Sequence, residues 1–223
     1  MANVVNFLIT VISFFTDPQV PTLISESSDH DIPVVVGQQY VSSKQVHLTV
    51  ASHILDFNHG NFIITDDDDD TLFKLDEARV DFRKRTILLD AKDAPVVSFR
   101  EKTFTLHGRY AVFRGDSGDQ LFTLKDKHIR DHDEEVYEIR LDADQEPSFE
   151  VKGDFKRRNY EIIYQGMIIA AEVSAKHHFS EPGSSSPKSI IEGKRKYNVV
   201  VNPNVDQAFI STIVAIMDAV YDD

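Results

Sequence analysis

The segment Asn202 to Asp218 constrains the fold more than any other part of the chain, because it is a helix with no face meant for water. From Ala208 to Met217 no residue is charged and only Ser211 and Thr212 are polar, whereas a helix lying on a domain surface keeps one polar side. Asn204 is placed to cap the first turn, with Gln207 reaching back as the third helical residue. Asp206 sits where the positive end of the helix dipole favours a carboxylate. Such a helix must be surrounded. A bilayer asks for about 20 apolar residues, and here Asp218 follows directly on Met217, so a cylinder of strands is the better enclosure.

The rest of the chain supplies strands. Apolar residues alternate with polar neighbours at Phe62/Ile64, Phe73/Leu75, Ile87/Leu89, Tyr110/Val112, Phe122/Leu124, Tyr137/Ile139/Leu141, Phe149/Val151, Tyr160/Ile162/Tyr164 and Tyr197/Val199/Val201, the period of half-buried strands. Turn chemistry separates them at Asp66 to Asp70, Asp90 to Pro95, Gly115 to Asp119, Asp142 to Pro147 and Glu181 to Pro187. Three consecutive hairpins, Asn61 to Leu75, Thr86 to Phe99 and Tyr110 to Leu124, read as a meander. Around a dozen strands followed by one buried helix predict a mainly β fold, a closed antiparallel barrel that leaves no exposed edge and lines the helix.

A length of 223 residues suits one such domain. Residues 1–33 read as a lead and residues 34–223 as the barrel, with the central helix at about 204–221. With no cysteine and no Asn-x-Ser/Thr acceptor, nothing marks the chain as secreted, so the expected location is cytoplasmic or nuclear. The apolar run Val4 to Phe15 lacks the basic lead-in and cleavage site of a signal peptide and reads as a loosely packed lead or an extra strand. The net charge of −13 argues against a nucleic-acid binder, whose affinity comes from cations that release counterions. The imbalance is local: residues 1–81 hold 13 acidic and 3 basic side chains, leaving 24 acidic and 21 basic in residues 82–223.

The separated blocks Gly60 to Asp66, Leu72 to Lys74, Leu88 to Asp90, Pro95 to Lys102, His107 to Gly115 and Pro203 to Ile210 together resemble the plant LURP-one-related proteins, and the likeness runs from about Val34 to Val220. The apolar first fifteen residues, the all-aspartate loop Asp66 to Asp70 and the serines Ser184 to Ser186 depart from it. The resemblance implies a tubby-like barrel of twelve strands around a C-terminal helix, similar also to phospholipid scramblases. It further implies a role in defence-related signalling and, by analogy with tubby proteins, a membrane-tethered or phosphoinositide-binding module. It carries no ligand residues over.

The residues themselves offer basic clusters for an anionic lipid: Lys156, Arg157 and Arg158; Lys194, Arg195 and Lys196; Lys125 to Arg130; and Arg83 to Arg85. Phosphate groups need several cations converging in space, and the first two clusters each precede a strand, at Tyr160 and Tyr197, so both are expected at one rim. The competing reading, which weighs more on residue chemistry alone, is solvated turn charges neutralised by Asp154, Glu161 and Glu192.

Other motifs read as structure. Gly115-Asp116-Ser117-Gly118 copies the nucleophile signature of trypsin-like proteases, but it lies between two strands, and its partners, His53 or His59 with Asp90 or Asp93, emerge only by selection after the fact. Asp66 to Asp70 lacks the alternate spacing and glycine of a calcium loop and reads as a solvated hairpin. His177 and His178 point to opposite faces of a strand, and His107 reads as a rim residue that organises a turn. The expectation is a monomeric, non-enzymatic binding module without metal or cofactor. Its partner is an anionic phospholipid head group or a signalling protein, reached peripherally at the inner face of the plasma membrane. The alternatives are a scramblase-like protein whose helix inserts in lipid and, last, a serine hydrolase.

Overall fold

A computed structural model describes residues 32–53, 62–76, 85–102, 108–127, 135–175 and 194–221, with backbone alone at His53, Asp76, Lys194 and Arg195. These residues belong to one unit spanning 31–223; Val4 to Phe15, His59, His107, His177, His178 and Ser184 to Ser186 lie outside them. The strands are β1 (Val46–His53), β2 (Ile63–Thr65), β3 (Thr71–Asp76), β4 (Thr86–Asp90), β5 (Pro95–Glu101) and β6 (Arg109–Arg114), then β7 (Gln120–Asp126), β8 (Val136–Leu141), β9 (Phe149–Asp154), β10 (Asn159–Tyr164), β11 (Ile168–Ala175) and β12 (Lys194–Val201). One helix, α1 (Gln207–Val220), closes the order. Each strand pairs antiparallel with its sequence neighbours, and β1 pairs with β12, so the twelve-strand meander closes on itself.

The register carries one apolar belt around the inside. Val50 faces Ile64, Ile64 faces Phe73, Leu75 faces Leu88, and Leu88 faces Val97. The belt continues through Phe99–Val112, Val112–Phe122, Leu124–Ile139, Ile139–Phe149, Val151–Ile162 and Ile162–Ala171, then returns through Val173–Val199 to Leu48. One alternation read from sequence is corrected here. Ile87 and Leu89 are buried but belong to the outer face, and Leu88 between them is the residue in the core, since a shift of one residue exchanges the faces of a strand. The outer face of β5 and β6 is also covered, with Ser98 and Ala111 fully buried and the Arg85 guanidinium 4.0 Å from the centre of the Phe113 ring. Three strands, β1, β5 and β11, have no place among the alternating pairs, although β5 falls within the hairpin Thr86 to Phe99.

The helix occupies the barrel. Every residue from Ala208 to Asp218 is buried, and Phe209 meets the ring of Phe122 at 5.1 Å and that of Phe149 at 4.8 Å. The hydroxyl of Thr212 bonds back to the Ala208 carbonyl at 2.7 Å, which removes the cost of burying it. The cap is Asp206, not Asn204. One carboxylate oxygen of Asp206 accepts from the amides of Ala208 (3.0 Å) and Phe209 (3.1 Å), and the other from Val36 (2.7 Å) and Gly37 (3.0 Å). Asn204 instead supplies a left-handed turn residue, at φ 63°, and donates its amide to the Ser42 carbonyl.

Alternating strand direction gives the barrel two unlike rims. At the rim where the helix starts, the connections are tight: Asp66 to Asp70, Ala91 to Ala94, Gly115 to Asp119, Asp142 to Ser148, Gln165 to Met167 and Asn202 to Asp206. The first two are built alike. Asp66 accepts from the amides of Asp68 and Asp70, and Asp90 from those of Lys92 and Ala94, while Asp69 and Asp93 take the left-handed conformation, as a three-residue hairpin loop requires. At the opposite rim, where the helix ends, the β9–β10 turn Phe155 to Arg158 is short. The strand ends flanking 54–61, 77–84, 103–107, 128–134 and 176–193 meet at that same rim.

Replacing Phe209 with Ala leaves a void between Phe122 and Phe149. Denaturant unfolding is expected to show a loss of about 3–5 kcal/mol, the range for emptying a buried aromatic site, and wild-type stability would place the ring outside the core.

Candidate functional site

The rim at the helix end is organised around the β9–β10 turn. Gly153 leads into it at φ 141°, where a Cβ would stand 2.5 Å from the Asn159 carbonyl oxygen and 2.6 Å from the Tyr160 Cα, so no side chain fits. Asp154 accepts from the Arg157 amide at 3.0 Å, and the Arg158 amide donates to the Phe155 carbonyl at 3.1 Å. Arg158 then adopts φ 52°, a left-handed conformation that costs a residue with a Cβ about 1–2 kcal/mol.

That conformation aims the guanidinium into the barrel mouth. Nη2 of Arg158 lies 2.9 Å from Asp218 Oδ1, with both side chains 7% exposed. Nη1 donates to the Phe155 carbonyl at 2.9 Å, and Nη2 also reaches the Tyr221 carbonyl at 3.5 Å. The Tyr197 hydroxyl donates to the same Asp218 oxygen at 3.2 Å. Burial pushes the phenols of Tyr160 and Tyr197 well above their ordinary value, and the Tyr160 hydroxyl has no hydrogen-bond partner among the described groups. Tyr221 closes the mouth: its ring stacks on Phe155 at 5.3 Å, its hydroxyl donates to Glu135 at 2.7 Å, and Tyr137 contacts it at 2.9 Å. Burial pushes the Tyr137 phenol up to about 12.

The basic clusters separate on this geometry. Arg158 is corrected from a surface cation to a structural one, because its charge is neutralised inside the barrel and has no approach for a head group. Lys156 and Arg157 stay at the tip, the Arg157 side chain being 86% exposed. Lys196 is exposed on β12 at the same rim, with β11 between it and the turn; Lys194 and Arg195 share that strand, and their side chains fall outside the described residues. Arg85 is buried, bonded to Ser98 at 3.4 Å and to the Ser117 carbonyl. Lys127 bridges Glu138 at 2.7 Å and Glu150 at 3.5 Å, while Lys152 holds Glu150 from the other side. The Lys152 hydrogen bond holds the Glu150 carboxyl below its usual range, against the opposing effect of burial.

A cleft of about 730 Å³ runs outside β9 to β11, bordered by Lys152, Lys156, Glu135, Asp154, Glu161 and Glu172. Its carboxylates outnumber its ammonium groups, so an anion is better placed at the turn tip than in this hollow.

The residues considered for hydrolysis serve turns. Ser117 Oγ donates to the Arg114 carbonyl at 2.6 Å and accepts the Asp119 amide at 3.1 Å. Asp90 holds its own loop, and Asp93 pairs with Lys74 at 2.5 Å. Among the described residues no group of three or more His, Asp or Glu is placed to hold a metal ion.

Arg158→Ala removes the guanidinium that neutralises the Asp218 carboxylate inside the barrel, and is expected to lower unfolding stability by about 3–5 kcal/mol, as breaking a buried pair does. Arg158→Ala combined with Asp218→Leu should lose less than Arg158→Ala alone, because no buried charge is orphaned. A double-variant loss equal to the sum of the losses of Arg158→Ala and Asp218→Leu measured singly would show that the pair is not coupled.

Comparison with known proteins gives one consistent result. The family model described as LURP-one-related matches residues 46–218. Protein LURP-one-related 15 of Arabidopsis thaliana is 32% identical over 199 residues, covering 84% of this chain and 85% of its own length. Protein LURP-one-related 10 is 32% identical over 192 residues (82% and 94%), and Protein LURP1 is 31% identical over 192 residues (82% and 88%), both from the same plant. An X-ray structure of an Arabidopsis thaliana protein superposes with a TM-score of 0.61 at 29% identity, covering 84% of this chain and 98% of that one.

Proposed function

The chain belongs to the LURP-one-related family, and within it we propose that it is a non-enzymatic module that recognises phosphorylated head groups of anionic phospholipids through the rim at the helix end. The observation that carries this reading is the segregation of charge between the two rims. Among the described residues, the rim at the helix start holds Asp66 to Asp70, Asp90, Asp93, Asp116, Asp119, Asp142, Asp144 and Glu146 against Lys44, Lys92 and Arg114. Among the described residues, the other rim holds Lys102, Arg109, Lys125, Lys127, Lys156, Arg157 and Lys196, against Glu101, Asp126, Glu135 and Asp154. A chain of net charge −13 can approach an anionic surface only through such a local excess, and with this polarity its acidic end turns away from the membrane. The helix dipole runs the same way, its positive end at the acidic rim and its negative end at the basic one.

The reading in which the helix itself enters lipid has no support in the packing. α1 is 14 residues long and walled by strands, and no described helix is long and apolar enough to cross a membrane. On this reading the protein is a peripheral module of defence-related signalling, cytoplasmic or nuclear and drawn to the inner face of the plasma membrane.

Co-sedimentation tests the reading. Phosphatidylcholine vesicles containing phosphatidylinositol phosphate are expected to carry the full-length protein down at low ionic strength and release it as salt rises, since such contacts are screened over about 10 Å at 0.1 M. Lys156→Glu with Arg157→Glu should abolish sedimentation at unchanged thermal stability. A wild-type protein that stays in the supernatant at low salt would overturn the proposal.

A further inference from the structure

The dipeptide Lys156-Arg157 is fastened to the end of α1 on both of its flanks. On one side the Phe155 ring stacks on Tyr221 at 5.3 Å and an interplanar angle of 22°. On the other, Arg158 is held by Asp218 at 2.9 Å and reaches the Tyr221 carbonyl at 3.5 Å. Neither attachment is explained by what the turn or the helix needs alone. A turn position at φ 52° is better served by Gly or Asn than by Arg. A carboxylate in the last turn of a helix faces the negative end of the dipole and is unfavourable there without a cation. The two unfavourable choices, Arg158 and Asp218, offset each other as a pair that joins the elements.

We propose that Asp218 and Tyr221 act as positioning residues for the rim, holding Lys156 and Arg157 in their ligand-ready arrangement, so that head-group occupancy and docking of the helix end are linked. The inference rests on the reading of that rim as a head-group site, and it names how the site is regulated. Linkage is reciprocal: whatever undocks the last turn of α1 weakens the site, and a bound head group tightens the last turn. The device is local, because Asp206 and the apolar contacts of Phe209 hold the rest of the helix independently of it.

Hydrogen exchange on the full chain, with and without vesicles containing phosphatidylinositol phosphate, tests the linkage together with binding by wild type, Asp218→Asn and Tyr221→Ala. In wild type the vesicles should slow exchange at Phe155 to Arg158 and also at Met217 to Tyr221, and free inositol phosphate should do the same if the head group alone is recognised. Without ligand, Asp218→Asn should speed exchange in the turn while the amides of Ala208 to Ile213 keep their protection. Both variants retain Lys156 and Arg157, yet each should bind at least about fivefold more weakly, the lower range of coupling between sites. Tyr221→Ala, which leaves the buried pair in place, decides the matter if Asp218→Asn does not fold.

Binding by either folded variant at wild-type affinity would overturn the positioning role. So would vesicle protection confined to the turn in wild type, or turn exchange unchanged in Asp218→Asn. A wild type that binds no vesicles and no inositol phosphate would overturn the head-group reading itself and this linkage with it.

Discussion

A helix without a wettable face has to be walled on every side, and the architecture follows from that requirement. The wall must be continuous, so the sheet closes and β1 pairs with β12. Its inner surface must be apolar at every strand, which the register achieves from Leu48 round to Val199. The enclosed helix must still satisfy its backbone ends: Asp206 does so at the start, and at the far end the Arg158 guanidinium reaches the Tyr221 carbonyl. Asp206 accepts four amides and ties the helix start to Val36 and Gly37, which the dipole favours. Asp218 stands against the dipole at the other end and is held there by Arg158 and Tyr197.

The barrel and its helix were legible because burial leaves a periodic trace. A strand with one face on the core alternates, and a helix buried all round loses its charges. The errors arose where that logic weakens. On β4 both faces are covered, so Ile87-Leu88-Leu89 is apolar throughout and alternation cannot say which residue faces inward. β11 reads Ile168-Ile169-Ala170-Ala171 at its start and gives no alternation either. At the helix start, Asn204 and Asp206 are both good caps by composition, and only the contact with Val36 and Gly37, distant in sequence, selects Asp206.

The site was less legible, for a physical reason. Lys156, Arg157 and Arg158 are equivalent cations in sequence, but a turn sends consecutive side chains in different directions. The left-handed backbone at Arg158 sends its guanidinium inward, while its two neighbours remain in water. The signal that could have found it was Asp218, a lone carboxylate at the end of an otherwise uncharged buried helix, which demands a cation from elsewhere in the chain. Charge polarity between the rims likewise becomes visible only when strand direction assigns each turn to one end.

Native-state hydrogen exchange of the α1 amides tests the enclosure most directly. If strands wall the helix on all sides, the amides from Ile210 to Ile216 exchange only through global unfolding, with a free energy equal to that from denaturant titration. Exchange of those amides at a free energy well below the global value, while the strands stay protected, would contradict the enclosure, because it would mean that the helix leaves the barrel without the barrel coming apart.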